Sequence, residues 1–252
     1  MTPRQAHWQP RWQAHRQPRR QRGAALLLLV AVLGLGTASL LISAFGRQSG
    51  EAERQQRTLA TLAQAREALL GFAATQGRLP RPAASALDGR ERAADCANAA
   101  ACSGFLPWVA LGVDGVDAWG KLLRYSVTPE MARAPIVSFS AVADRVVLTR
   151  DGRGAFAYVA GQDQCDVSAQ CLPVVLFSQG KEHYGTAASG VTQINTARGN
   201  LDEATNDRAS RSFIARPATD NAALPGGTFD DMLTWITLPT LYQRMRAARN
   251  LP

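Results

Sequence analysis

Residues 24–45 read AALLLLVAVLGLGTASLLISAF, an uncharged run in which only Thr37, Ser39 and Ser43 carry polar side chains. As an α-helix at about 1.5 Å per residue it extends about 33 Å, against a bilayer hydrocarbon core of about 30 Å, so it predicts a membrane-spanning helix. Its flanks set a direction. Arg4, Arg11, Arg16, Arg19, Arg20 and Arg22 precede it with no acid among them, whereas Arg47 opens a mixed-charge stretch on the other side. The positive-inside rule then places the N-terminus in the cytoplasm and exports everything after the run. A removable secretory signal has an apolar stretch of about 7–15 residues closed by an A-x-A site. This run is longer, and no such site closes it.

The charge balance points the same way. The 252 residues carry a formal charge of +8 and are 46% hydrophobic, enough to bury a sizeable core. The excess is local: beyond residue 23 there are 22 basic and 20 acidic residues, and from Leu79 onward 17 of each. A neutral body lacks the electrostatic footprint for a phosphate backbone, which argues against nucleic acid as a partner.

Downstream, residues 46–76 remain helix-compatible, with no proline and with Leu59, Leu62, Leu69, Leu70 and Phe72 near helical spacing. Gly77 followed by Pro80 and Pro82 predicts the stop. Residues 79–252 form the head. After a loop-rich segment come β-prone runs at 122–127, 136–142, 146–149, 155–160 and 174–178, separated by turn residues. One long helix followed by short strands predicts an α+β fold with an antiparallel sheet. A closing helix starts at Thr237 or Pro239 and carries Arg244, Arg246 and Arg249 near its C-terminal end.

The four cysteines form two C-x5-C pairs, Cys96/Cys102 and Cys165/Cys171. An even number in an exported domain favours disulfides. Of the three connectivities the local one, Cys96–Cys102 with Cys165–Cys171, is expected. A four-thiolate zinc site is the alternative, although zinc motifs usually space paired cysteines by two to four residues.

Catalytic signatures are missing from the sequence. His183 is the only histidine after residue 23, and there is no G-x-S-x-G elbow, H-E-x-x-H, phosphate-binding loop or dinucleotide fingerprint. The expectation is a protein that is not an enzyme. A signal-anchored periplasmic enzyme or ligand-binding domain is the alternative, because paired acids from distant loops leave no local motif.

The junction Gln21-Arg22-Gly23 followed by Ala24-Ala25-Leu26-Leu27-Leu28 resembles the prepilin leader of type IV pilins and type II secretion pseudopilins. The resemblance implies cleavage after Gly23 by a prepilin peptidase and methylation of a new N-terminus at Ala24. It divides the chain into a leader (1–23), a transmembrane and filament-core helix (24–45), its distal half (46–78) and a periplasmic pilin-like head (79–252). The subunit would sit in the bacterial inner membrane as a single pass, contacting lipid and other pilin or pseudopilin subunits, before entering a pilus or pseudopilus. Leu28 stands fifth after the cut, where major pilins carry glutamate, so a minor or initiating subunit is implied. In the head, Asp117-Ala118-Trp119-Gly120 resembles the D-x-W-G turn of major pseudopilins, with Asp117 capping the turn and Trp119 packing beneath it. Residues 177–181 (FSQGK) resemble the family's S-x-G strand end, and residues 230–235 (DDMLTW), closing on Trp235, its last strand. No cofactor is expected. Calcium, which major pseudopilins hold in this region, has Asp230 and Asp231 as its candidate ligands, with a turn-capping or solvated aspartate as the default.

Overall fold

The computed structural model describes residues 22–133, 135–168 and 171–251. The expected leader at 1–21 lies outside them. The chain divides into two compact units, Met1–Gly50 and Glu51–Pro252.

Helix α1 spans Arg22–Gln76, 55 residues. No proline interrupts it, and it stops where Gly77 enters the left-handed region at φ 70° and donates its N–H to the Ala73 carbonyl at 2.9 Å. The membrane-spanning expectation is corrected here: among the described residues no helix is long and apolar enough to cross a membrane. By the start of the second unit the helix carries Glu51, Glu53, Arg54 and Arg57.

In the second unit, α1 buries Leu62, Ala65, Leu69, Leu70 and Ala73, a stripe at helical spacing. Leu59, expected in that stripe, is 54% exposed because it falls on the neighbouring face. The stripe lies on a four-stranded antiparallel sheet of order β1 (Ser103–Phe105), β2 (Arg124–Val127), β5 (Val174–Ser178) and β7 (Met232–Ile236). Strand β5 is buried at all five residues, as a continuous apolar run in a sheet covered on both faces should be. Val174 and Leu176 join α1, Tyr125, Val127 and Ile236 in the main core, while Val175 and Phe177 meet Val147, Leu172 and Phe213 on the other face.

That second core is closed by a three-stranded sheet of order β4 (Phe156–Ala160), β3 (Val146–Arg150) and β6 (Ser212–Ile214). Here β3 pairs antiparallel with β4 and parallel with β6. Arg145 ties the two sheets together while fully buried. It donates to the Ser126 hydroxyl at 2.8 Å, to Asp144 Oδ1 at 2.7 Å and to the Val127 carbonyl. Residues 136–142, expected as a strand, form a loop. Ile136 is pulled into the core and donates its N–H to Gly77, whereas Val137 and Phe139 remain exposed and find no strand partner. Short helices α2 (Trp108–Leu111), α3 (Pro129–Arg133) and α4 (Leu201–Asp207) fill the connections.

Helix α5 (Leu238–Ala247) closes the main core with Leu238, Leu241, Tyr242 and Met245. Thr237 is its N-cap, its hydroxyl accepting from the Thr240 N–H at 3.4 Å. Disulfides join Cys96 to Cys102 and Cys165 to Cys171.

Candidate functional site

The chemistry-bearing residues of the head converge at one end of β5. At residues 117–120 the chain turns: Asp117 N–H donates to the Lys121 carbonyl at 2.8 Å and Gly120 N–H to the Asp117 carbonyl at 3.0 Å. Asp117 Oδ1 accepts from the N–H groups of Trp119 and Lys121, each at 2.9 Å. Gly120 sits at φ 80°, a conformation glycine adopts without a Cβ penalty. The second oxygen, Oδ2, accepts from the Ser178 hydroxyl at 2.6 Å, and Ser178 Oγ accepts from Gly180 N–H at 3.1 Å. One carboxylate thus clasps the turn to the end of β5. Burial raises its pKa, opposed by these donors.

The same turn aims Lys121 inward. Its side chain is buried, and Nζ donates to the carbonyls of Tyr184 at 2.7 Å, Glu182 at 3.1 Å and, at the limit of bonding, Gln179 at 3.5 Å. Loop 179–184 therefore wraps an ammonium. Burial lowers the lysine pKa, while Asp230, Asp117, Asp231 and Glu203 support the charge.

Those acids arrive from α4 and from the approach to β7. Carboxylate oxygens of Glu203, Asp230 and Asp231 lie within 4.8 Å of one another. Glu203 accepts from Asn200 Nδ2 at 2.7 Å and from Asp230 N–H at 3.0 Å. Asp231 accepts from Asn206 Nδ2 at 2.8 Å, and Asp230 Oδ2 from Glu182 N–H at 2.7 Å. Burial, the largest cause, raises all three: Glu203 to about 7, Asp231 well above the carboxylate range and Asp230 in the same direction. Gly180, at φ 58°, is needed where it is, since a Cβ there would stand 2.5 Å from Asp230.

Calcium needs six to eight oxygens, normally including loop carbonyls. In this region the carbonyls of residues 179, 182 and 184 face the Lys121 ammonium, and one oxygen or more of each acid is engaged by an N–H donor. Asp230 Oδ1 is buried with no partner among the described residues, but with the loop carbonyls turned to Lys121 the oxygens left fall short of the six to eight a calcium shell needs. The residues fit an internal cation, Lys121, and do not fit calcium.

A cleft of about 450 Å³ opens beside the cluster, lined by Leu59, Trp119, Lys181, Asp230 and Trp235 among others. Trp119 and Trp235 thus line the same cleft, one from the turn at residues 117–120 and the other from β7. The indole Nε1 of Trp119 is buried without a partner among the described residues. His183 is half-buried, with Nε2 3.5 Å from the Thr228 hydroxyl and 3.7 Å from Glu182.

Of the remaining residues singled out in the sequence, Gly23 and Ala24 lie in the first turn of α1. Leu28 is described there with its side chain 66% exposed. The disulfides lie away from the acidic cluster in sequence, with Cys96, Cys102 and Cys171 buried in the main core. Two participants escaped the sequence reading. Glu203 sits in an acidic stretch with no motif, and Lys121 follows the 117–120 turn with no motif of its own. Asp202, which bridges Arg150 at 2.6 Å and Arg216 at 2.8 Å from a buried position, was also missed.

No protein-family model matches the chain, and no curated protein or solved structure matches it either.

Proposed function

We propose that this chain is a structural, non-catalytic subunit of the pilin-like class, a minor component of a type IV pilus or type II secretion pseudopilus, matured by cleavage after Gly23. One observation carries the reading. Leu26, Leu28, Leu29, Val30, Val32, Leu33 and Leu35 occupy nearly three turns of α1 and are 58–73% exposed. They point to every side of the helix. A helix that is apolar all round belongs in a hydrophobic interior, and this chain leaves it uncovered. Packing against the equivalent helices of other subunits supplies that interior.

The two disulfides support a head that matures in an oxidising compartment. Leu28 favours a minor position, since a glutamate at that place would supply a charge for a neighbouring subunit's amine. The function is then assembly: the helix joins a bundle while the head presents its surfaces outward.

The test is coexpression of the full chain with a prepilin peptidase, followed by intact mass and N-terminal sequencing of wild type and Gly23→Ala. The expected wild-type chain starts at a methylated Ala24, and the variant remains uncut. A wild-type chain that keeps its leader in the presence of active peptidase overturns the reading.

A further inference from the structure

Strand β4 forms one edge of the three-stranded sheet. It reads FAYVA, and four of its five residues are exposed, with Phe156 at 54%, Tyr158 at 48% and Val159 at 45%. It pairs with β3 on one side only. Natural edge strands are usually blunted by charge, proline or early bulges. This one has no charge and no proline, and its register slips only past Tyr158, where Val159 has no opposite residue.

The orientation of its free groups follows from the hairpin. Asp151 N–H donates to the Ala155 carbonyl at 2.9 Å, so these two form a hydrogen-bonded pair. Pairs alternate along an antiparallel ladder. Thr149/Ala157 is then hydrogen-bonded, and Arg150/Phe156 and Leu148/Tyr158 are not. Phe156 and Tyr158 therefore turn their N–H and C=O groups to the open edge.

We infer that β4 pairs antiparallel with β4 of a second copy of this chain, about a two-fold axis at Ala157. In that register Phe156 of each copy exchanges both backbone hydrogen bonds with Tyr158 of the other. The same pairing sets the two aromatic rings side by side on one face, a favourable cross-strand combination. Charge selects both the partner and the direction. Exposed Arg153 precedes the strand, and exposed Asp163 and Asp166 follow it. Antiparallel self-pairing brings the basic end of one copy against the acidic end of the other, whereas a parallel pair would align like charges. Asp151, the remaining acid nearby, is held inside its own turn by the N–H groups of Arg153 and Ala155.

The pairing is tested on the purified full chain in mild detergent. Ala157 faces itself across the axis at a non-hydrogen-bonded position, so Ala157→Cys forms an interchain disulfide on mild oxidation. Val191→Cys, 68% exposed elsewhere, is the collision control. Expected are cross-linking of Ala157→Cys at least about tenfold faster than the control and loss of that advantage when Tyr158→Lys is added. Sedimentation of the chain without added cysteine should show Tyr158→Lys reducing the mass by one copy relative to wild type. Equal rates for the two cysteine variants, or a mass unaffected by Tyr158→Lys, would overturn the inference.

Discussion

Lys121 decides how the acidic end of the head is held. Its ammonium is bonded to the carbonyls of Glu182 and Tyr184 and lies in the field of Asp230, Asp231 and Glu203. Lys121→Met preserves the stem but leaves those carbonyls facing an apolar end and the acids without a counter-charge. Breaking a buried charge arrangement from one side costs about 3 kcal/mol or more, so the thermal midpoint of the variant should fall by several degrees. Chelation with EDTA should leave the wild-type midpoint within about 1 °C, because a bound metal would have contributed a linked stabilisation that the chelator removes. A midpoint that drops with EDTA and recovers with calcium would refute the fit argument. The pH dependence has a definite sign. Glu203 is raised from 4.5 to about 7, and Asp230 and Asp231 are raised with it. The folded state thus holds protons that the unfolded chain releases, and its contribution is complete below about pH 4.5 and lost as pH rises through about 7. Melting at pH 6 and pH 8 should give the lower midpoint at pH 8, and Glu203→Gln should narrow the gap. A midpoint that climbs over that range contradicts the assignment.

Among the elements, the distal part of α1 carries the main core. Leu69 is fully buried in the stripe against the four-stranded sheet, and Leu69→Ala should cost about 2–5 kcal/mol in urea unfolding, against under about 0.5 kcal/mol for Leu59→Ala on the exposed face. Equal costs would mean that the stripe is misplaced. The helix is legible because its stop is written in Gly77, Pro80 and Pro82, and β5 because its four consecutive apolar residues, Val174 to Phe177, stand between turns. Three-residue strands such as β1 and β6 have no room for a period, so they could not be read before their partners were known. The run 136–142 has the opposite problem: it has a strand's composition, but Ile136 alone is drawn inward, bonded to Gly77, while Val137 and Phe139 face outward. The Asp117 turn and the Ser178 strand end could each be read locally, although their 2.6 Å bond joins residues 61 apart. The acidic cluster was half legible. Asp230 and Asp231 belong to a motif, whereas Glu203 acquires its role only when α4 is placed beside them.

At the scale of the whole molecule, the head carries the cohesion of the fold, whereas the exposed apolar turns of α1 lie outside it. The core of the Glu51–Pro252 unit begins at Leu62 and is built entirely from that unit's own residues, with both disulfides inside it. Each bond closes a short loop, worth about 2 kcal/mol in the chain-entropy account. Cys96 and Cys102 are both buried, so replacing that pair with serine adds the burial of two hydroxyls to the lost closure; Cys165 is only half-buried. Thermal unfolding should therefore rank the Cys96→Ser/Cys102→Ser variant below Cys165→Ser/Cys171→Ser. The apolar residues from Leu26 to Leu35 belong to the other unit and contribute no member to that core. A chain beginning at Glu51 should consequently keep both disulfides, one cooperative transition and a midpoint within a few degrees of the full chain. It should also lose the requirement for detergent that exposed leucines impose. Circular dichroism melts and sedimentation with and without detergent would measure both properties on both chains. If the shortened head unfolds, the first unit is structural for the second and the division of labour fails. If it folds yet still requires detergent, the apolar surface that demands it lies on the head, and the exposed leucines of α1 are not its source.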